Sequence, residues 1–536
     1  MPATHLRNNG YFHQIYTTRR FFARMERGLR ISDGRRFFHH LKTMMGCDGC
    51  MRTQAMSLFW ADFTQPSVTK RSPKKMPLKP TITNRGKSSI MNNQSDVKSP
   101  QKTYMYEWYV VSVCMLAYIF SFIDRQILAL MIEPIKRDMQ LTDVQFSLLH
   151  GLAFSLFYAF MGMPIAILAD KFSRPRIIAI GIAFWSLATA ACGLSKNFTQ
   201  MFLARLGVGI GEAALSPATY SMLSDLFPRN KIGRALAVYS IGSFIGGGIA
   251  FLIGGYVIDL LKNLDTITLP LIGQMYPWQV TFFIVGLPGV LVALLIILTV
   301  KNPPRGNLKV DAEGNVIKPS LKNTVAFLKQ HRQTFFCMYG GYSFAALSLF
   351  SMMSWAPAFL MRKYGLSPAE TGYILGGVVL VANTGGVLFG GWLVDWLAQR
   401  GYSDAPIRAG VIGASALLIP VAAFSQVESL PVCLTLLAMA MFFSSIAMPA
   451  ANAATQILPP NQMRAQVSAV FLMISNLIAL GIGTTLVALI TDKVFKNPAA
   501  VGDSISLVNV VACLLTLVLL SFGCSQYRNS LEREGK

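Results

Sequence analysis

Residues 108–132 read WYVVSVCMLAYIFSFIDRQILALMI, an apolar run long enough to cross a bilayer core, with a charged pair, Asp124-Arg125, inside it. An ionisable side chain at the centre of such a segment costs at least ~2.5–3.5 kcal/mol on insertion scales. Two in succession require a reason. Working outward, apolar runs of similar length recur to residue 524. Spans are expected near 108–132, 144–169, 177–195, 198–223, 235–260 and 278–300, then 334–360, 371–396, 408–426, 430–457, 465–490 and 503–524, numbered 1 to 12. The polar segment 301–333 divides them six and six.

Composition agrees. Of 536 residues 53% are apolar and 14% charged, against about 25% charged in an average soluble protein, and the mean hydropathy is +0.46. The formal net charge is +23, and residues 1–107 hold 19 Lys/Arg against 6 Asp/Glu. These figures exclude a soluble enzyme, a disulfide-built secreted scaffold and a disordered chain. An all-α membrane protein with a basic tail remains. Cys47 and Cys50 form a C-x-x-C without a second pair or a nearby His, so no metal site is expected. The other cysteines are scattered through apolar runs and read as small packing residues. The positive charge lies in a tail and in loops without interleaved aromatics, so no nucleic-acid partner is expected.

Residues 64–103 have the Ser, Thr, Asn, Pro and Lys content of an unfolded linker. No apolar segment follows the basic start, so it is not a secretory signal. Residues 1–104 are expected to be a disordered tail, or upstream sequence joined to a start at Met91 or Met105. The remaining organisation is a six-helix bundle over 105–300, a cytoplasmic linker over 301–333, a second bundle over 334–525 and a cytoplasmic tail over 526–536. With residue 107 inside, the inner loops carry twice the Lys/Arg of the outer loops, which puts both termini in the cytoplasm. The halves repeat each other's punctuation. Span 2 ends Gly162-x-x-x-Ala166-x-x-x-Asp170 and span 8 ends Gly391-x-x-x-Asp395; Phe227-Pro228 precedes Arg234, and Leu458-Pro459 precedes Arg464. Such repeats place a substrate path between two pseudo-symmetric bundles.

Spans 1 and 4 hold Asp124, Arg125, Arg205 and Glu212. Asp124 and Arg205 each lie eight residues from the outer end, ~12 Å deep, so they are expected to pair; Glu212 lies two turns beyond Arg205, ~10 Å deeper. In a functional reading Asp124 and Glu212 exchange protons while Arg125 and Arg205 hold an anionic head group or release a carboxylate to it. The alternative is a static ion-pair network that fixes packing. Spans 7 and 10 carry no charge between Phe335 and Phe359 or between Pro431 and Ile457. They offer an apolar cavity wall, with Tyr339, Tyr342, Trp355, Phe442 and Asn452 its candidate members, suited to a charged head with an oily tail; helix packing is the alternative. Asp170, Lys171, Arg174, Arg176 and Asp225 form a candidate cytoplasmic latch. The glycines of span 5, Gly242 to Gly255, permit close helix approach. His150, at the outer end of span 2, is expected to be solvated. No Ser-His-Asp set, phosphate loop or metal-spaced cluster occurs, so no catalysis and no cofactor are expected. A proton gradient would supply the energy.

Ala166-x-x-x-Asp170-Lys171-x-Ser173-Arg174-x-Arg176 resembles the signature loop after helix 2 of the major facilitator superfamily, with Ser173 for the usual Gly, and Arg205-x-x-x-Gly209-x-Gly211-Glu212 resembles its helix 4 motif. Phe122-Ile-Asp124-Arg125, Arg205 to Ala213 and Ser224-Asp225-Leu226-Phe227 are most similar to the spinster family. That resemblance implies proton-linked movement of lysolipids or similar amphiphiles, with Asp124 and Glu212 as proton sites. Asp124-Arg125, Gly211-Glu212-Ala213 and Pro217-Ala218 also resemble the anion:cation symporters, which move hexuronates and related acids. The helix 5 antiporter motif carries Pro where Gly247 stands, and span 7 has no Arg of the sugar-phosphate exchanger kind. The expected function is therefore a proton-coupled, alternating-access transporter of an amphipathic lysolipid-like or other anionic organic substrate in a bacterial inner membrane, monomeric, with the bilayer, the small substrate and protons as its partners. The alternatives are a proton:organic-anion symporter and a transporter-like receptor.

Overall fold

The computed structural model describes residues 104–227, 231–261, 264, 267–269, 273–304, 321–460 and 463–535. The basic tail with Cys47 and Cys50, residues 305–320 of the loop between spans 6 and 7, and the Asp170 side chain lie outside the described residues. The chain is a bundle of long helices. Among the described residues eleven are long and apolar enough to cross a membrane: Met105–Leu130, Asp143–Ala169, Arg174–Gly193, Ile232–Leu261 and Pro277–Thr299 as spans 1, 2, 3, 5 and 6, then Arg332–Tyr364, Pro368–Gln399, Ala405–Gln426, Leu430–Ile457, Gln466–Phe495 and Pro498–Arg533 as spans 7 to 12.

Span 4 is present but interrupted, as Phe198–Glu212 and Leu215–Leu226. Pro217 explains the interruption: it has no N–H to donate, and its ring displaces the carbonyl of Ala213. Span 10 breaks in the same manner at Ile446, four residues after Phe442 and three before Pro449. Wide π-helical turns also match, Leu148–Leu152 in span 2 and Val379–Asn383 in span 8. The two halves therefore share irregularities as well as helices.

Other differences from the sequence reading lie at the edges. A surface helix, Leu321–Gln330, forms inside the polar segment, and its buried Phe327 ring packs on Phe335. Span 12 continues through Arg533, past the expected start of the tail, because Tyr527 and Leu531 bury against the bundle. A short hairpin of β1 (Ile267–Leu269) and β2 (Gly273–Met275) precedes span 6.

The halves meet where spans 5 and 8 and spans 2 and 11 cross. Both crossings depend on glycine. A Cβ on Gly372 would stand 2.6 Å from the carbonyl oxygen of Phe251 and 2.8 Å from the Cα of Gly255; one on Gly151 would stand 2.1 Å from the carbonyl oxygen of Leu480. Polar contacts close one end of this seam. Arg362, at the end of span 7, donates to Glu133 at 2.8 Å and to both oxygens of buried Asp143 at 2.7 Å. Lys136 also pairs with Asp143, and the Val144 amide donates to Asp492 at 3.1 Å.

Candidate functional site

Spans 1 and 4 build the charged centre, packed against spans 2 and 3. Glycines 209 and 211 let span 4 lie against its neighbours: a Cβ on Gly209 would stand 2.5 Å from the carbonyl oxygen of Phe154, and one on Gly211 would stand 2.7 Å from the main-chain nitrogen of Trp185. That approach carries Arg205 and Glu212 into the protein. Asp124, Arg125, Arg205 and Glu212 are all buried, none more than 4% exposed.

The structure brings the four together but pairs them differently from the depth argument. Arg125 forms the ion pair with Glu212. Ser121, one turn before Arg125, donates to the same carboxylate oxygen at 2.6 Å. The Arg125 guanidinium lies 4.2 Å from the ring centroid of Phe154 and 4.6 Å from that of Phe122, a cation–π arrangement that offsets its desolvation. Arg205 does not bond the Asp124 carboxylate. It donates at 3.3 Å to the main-chain carbonyl of Asp124, because that carbonyl faces span 4. Asp124 Oδ1, Arg205 Nε and Nη2, and Glu212 Oε1 have no hydrogen-bond partner among the described residues. The Trp185 indole and Thr189 hydroxyl lie beside the Asp124 carboxyl and are the side-chain donors that face it. Two acids and two guanidinium groups thus sit in one buried cluster, half of it bonded and half unspent.

His150 corrects its expectation. It is 2% exposed, and its Nε2 lies 2.9 Å from Ser354 Oγ of span 7, across the two halves. The π-helical turn Leu148–Leu152 rotates the ring inward, a shift invisible to a regular helix period. Gln126, Met353 and Asn383 were also missed. Met353 Sδ accepts from Gln126 Nε2 and from Asn383 Nδ2, each at 3.6 Å.

The candidate apolar wall is dispersed. Tyr339 donates to the Val467 carbonyl at 2.8 Å, Tyr342 to the Pro406 carbonyl at 2.9 Å and Trp355 to the Thr484 carbonyl at 3.0 Å, all buried between helices. Phe442 is half-buried against Phe389 of span 8, and Asn452 is exposed. Of the latch residues, Arg174 pairs with Asp225 and donates to the carbonyls of Ser221 at 3.2 Å and Pro303 at 2.6 Å. Lys171 and Arg176 are exposed. No metal-holding group of His, Cys, Asp and Glu occurs among the described residues.

Residues 114–484 match the family described as the Major Facilitator Superfamily. A protein named an MFS-type efflux pump from Mycolicibacterium smegmatis is 25% identical over 84% of this chain and 99% of its own. A hexuronate transporter of Bacillus subtilis is 24% identical over 62% of this chain and 76% of its own. A crystal structure titled as a bacterial homologue of the human lysosomal transporter Spinster, inward-facing and unoccupied, superposes with a TM-score of 0.65 at 26% identity, covering 80% of this chain and 98% of that one.

Proposed function

The chain belongs to the Major Facilitator Superfamily, a multi-pass membrane transporter rather than an enzyme, and we propose that it couples protons to the passage of an anionic, amphipathic, lysolipid-like substrate by alternating access. The observation that carries this reading is the half-spent cluster of spans 1 and 4. With all four groups ionised its charge sums to zero. Binding one proton at Asp124 leaves the Arg205 guanidinium uncompensated in a buried site, and an anion restores the balance. Proton and anion then favour each other's entry, and each biases the two-state equilibrium only as far as its affinity differs between the states.

The contacts of Arg362 and Asp143 seal one end of the seam between the halves. With both termini cytoplasmic in a bacterial inner membrane, that is the outer end. The B. subtilis hexuronate transporter supports a second reading, a proton:organic-anion symporter with the same cluster and a smaller substrate.

Proteoliposome uptake across a pH gradient tests coupling. Asp124→Asn is expected to make uptake independent of the gradient, and an unchanged gradient response would refute the assignment. Competition by lysolipids against uronates separates the two substrates.

A further inference from the structure

The charged cluster lies wholly on spans 1 and 4 of the first half. A substrate that switches the halves must also touch the second. The described polar side chains at the crossing show where. Gln126 follows Arg125 in span 1 and so points about 100° around the helix from it. Its Nε2 bonds the Met353 sulfur of span 7, and the same sulfur accepts from Asn383 of span 8. Helix 5 closes over this junction through the residue that departs from the antiporter pattern: a Cβ on Gly247 would stand 3.1 Å from Met353 Cε, and within 4.0 Å of Gln126 Cγ. Gly247 is therefore the residue that leaves room for Met353 between the two amides.

Gln126 and Asn383 are 2% and 0% exposed, yet Gln126 Oε1 and Asn383 Oδ1 have no partner among the described residues. Two buried acceptors face the seam, one from each half, joined by a weakly accepting thioether. A buried acceptor left unpaired costs free energy that a ligand donor can recover. Asn383 ends the π-helical turn Val379–Asn383, the kind of widened turn that redirects a side chain at functional positions.

We propose that Gln126 and Asn383 are specificity-determining residues that bind a hydroxyl donor on the substrate, with Met353 closing the amides together when no substrate is present. This rests on the anionic-substrate reading: Arg205 takes the anionic group and the amide pair takes a hydroxyl beside it. A site built to bond a hydroxyl rejects the analogue that lacks it far more strongly than an apolar pocket rejects a missing methylene.

The test is equilibrium binding to the full-length protein in lipid nanodiscs. The probes are two matched pairs, 1-oleoyl-lysophosphatidic acid with its 2-deoxy analogue and glucuronate with its 2-deoxy analogue. Wild-type protein is expected to prefer the hydroxylated member of the pair it binds by about 10-fold or more. Gln126→Met and Asn383→Leu are each expected to reduce that preference to within about 2-fold, with affinity for the deoxy member retained. Either variant suffices if the other does not fold. Equal binding of both members by wild type, or an undiminished preference in a folded variant, overturns the proposal. Wild-type binding of neither pair overturns the anionic-substrate reading on which it stands.

Discussion

Spans 4 and 10 occupy equivalent positions in the two halves and break at equivalent places, before Pro217 and before Pro449. Their side chains could hardly differ more. Span 4 carries Arg205 and Glu212 inward and joins both to span 1. Span 10 has no charge within it, and its Ser444 and Ser445 hydroxyls return to the Met441 carbonyl of their own helix. The break is common to both halves and the charge is not. Backbone irregularity thus belongs to the helix architecture that both halves share, while the buried Arg205 and Glu212 belong to span 4 alone.

The largest effect that would break this comparison is at the ion pair. Arg125→Ala leaves Glu212 buried without its cation, which costs about 3–5 kcal/mol in comparable pairs. The expected outcome is a strong fall in thermal stability together with loss of uptake. Replacing both partners by apolar residues, Arg125→Met with Glu212→Leu, is expected to restore much of the stability and none of the coupled uptake. Recovery of coupling in that double variant would make the pair structural only.

A smaller effect is expected at the sealed end. Arg362→Gln removes the bonds to Glu133 and Asp143 but leaves Lys136 beside the buried carboxylate. A loss of about 1–3 kcal/mol is expected there, because a buried acceptor loses its partner. Hydrogen exchange should quicken in residues 132–147 while Arg125 and Glu212 remain protected. Unchanged exchange would show that Arg362 does not hold the sealed end closed.

Most of the fold was legible in sequence, because a bilayer demands long apolar helices and the eye needs only their length. The four buried charges were legible for the same reason: they stand out against apolar neighbours. Their pairing was not. Depth along a helix put Asp124 opposite Arg205, and the structure put Arg205 on the Asp124 carbonyl instead, because depth fixes height and leaves rotation free. His150 and Asn383 escaped for a related reason. Both sit in π-helical turns, which shift the face that a regular 3.6-residue period assigns. Gln126 and Met353 gave no signal at all, being one amide and one thioether among many.

The smallest effect sharpens the comparison from the other side. Tyr342 is buried, and its hydroxyl donates to the Pro406 carbonyl at 2.9 Å, joining spans 7 and 9. If its role is to peg helices together, Tyr342→Phe removes one buried hydrogen bond and keeps the ring, so stability should fall by about 0.5–1.5 kcal/mol. The substrate KM should stay unchanged, because a phenolic group spent on a main-chain carbonyl is not available to cargo. A raised KM with unchanged stability would instead return Tyr342 to a cavity wall, and would mean that the second half rearranges to expose it when the path opens. The same measurement on Asp124→Asn should give the opposite split, with pH dependence lost and the fold retained. The contrast between these two variants separates a residue that couples from a residue that braces.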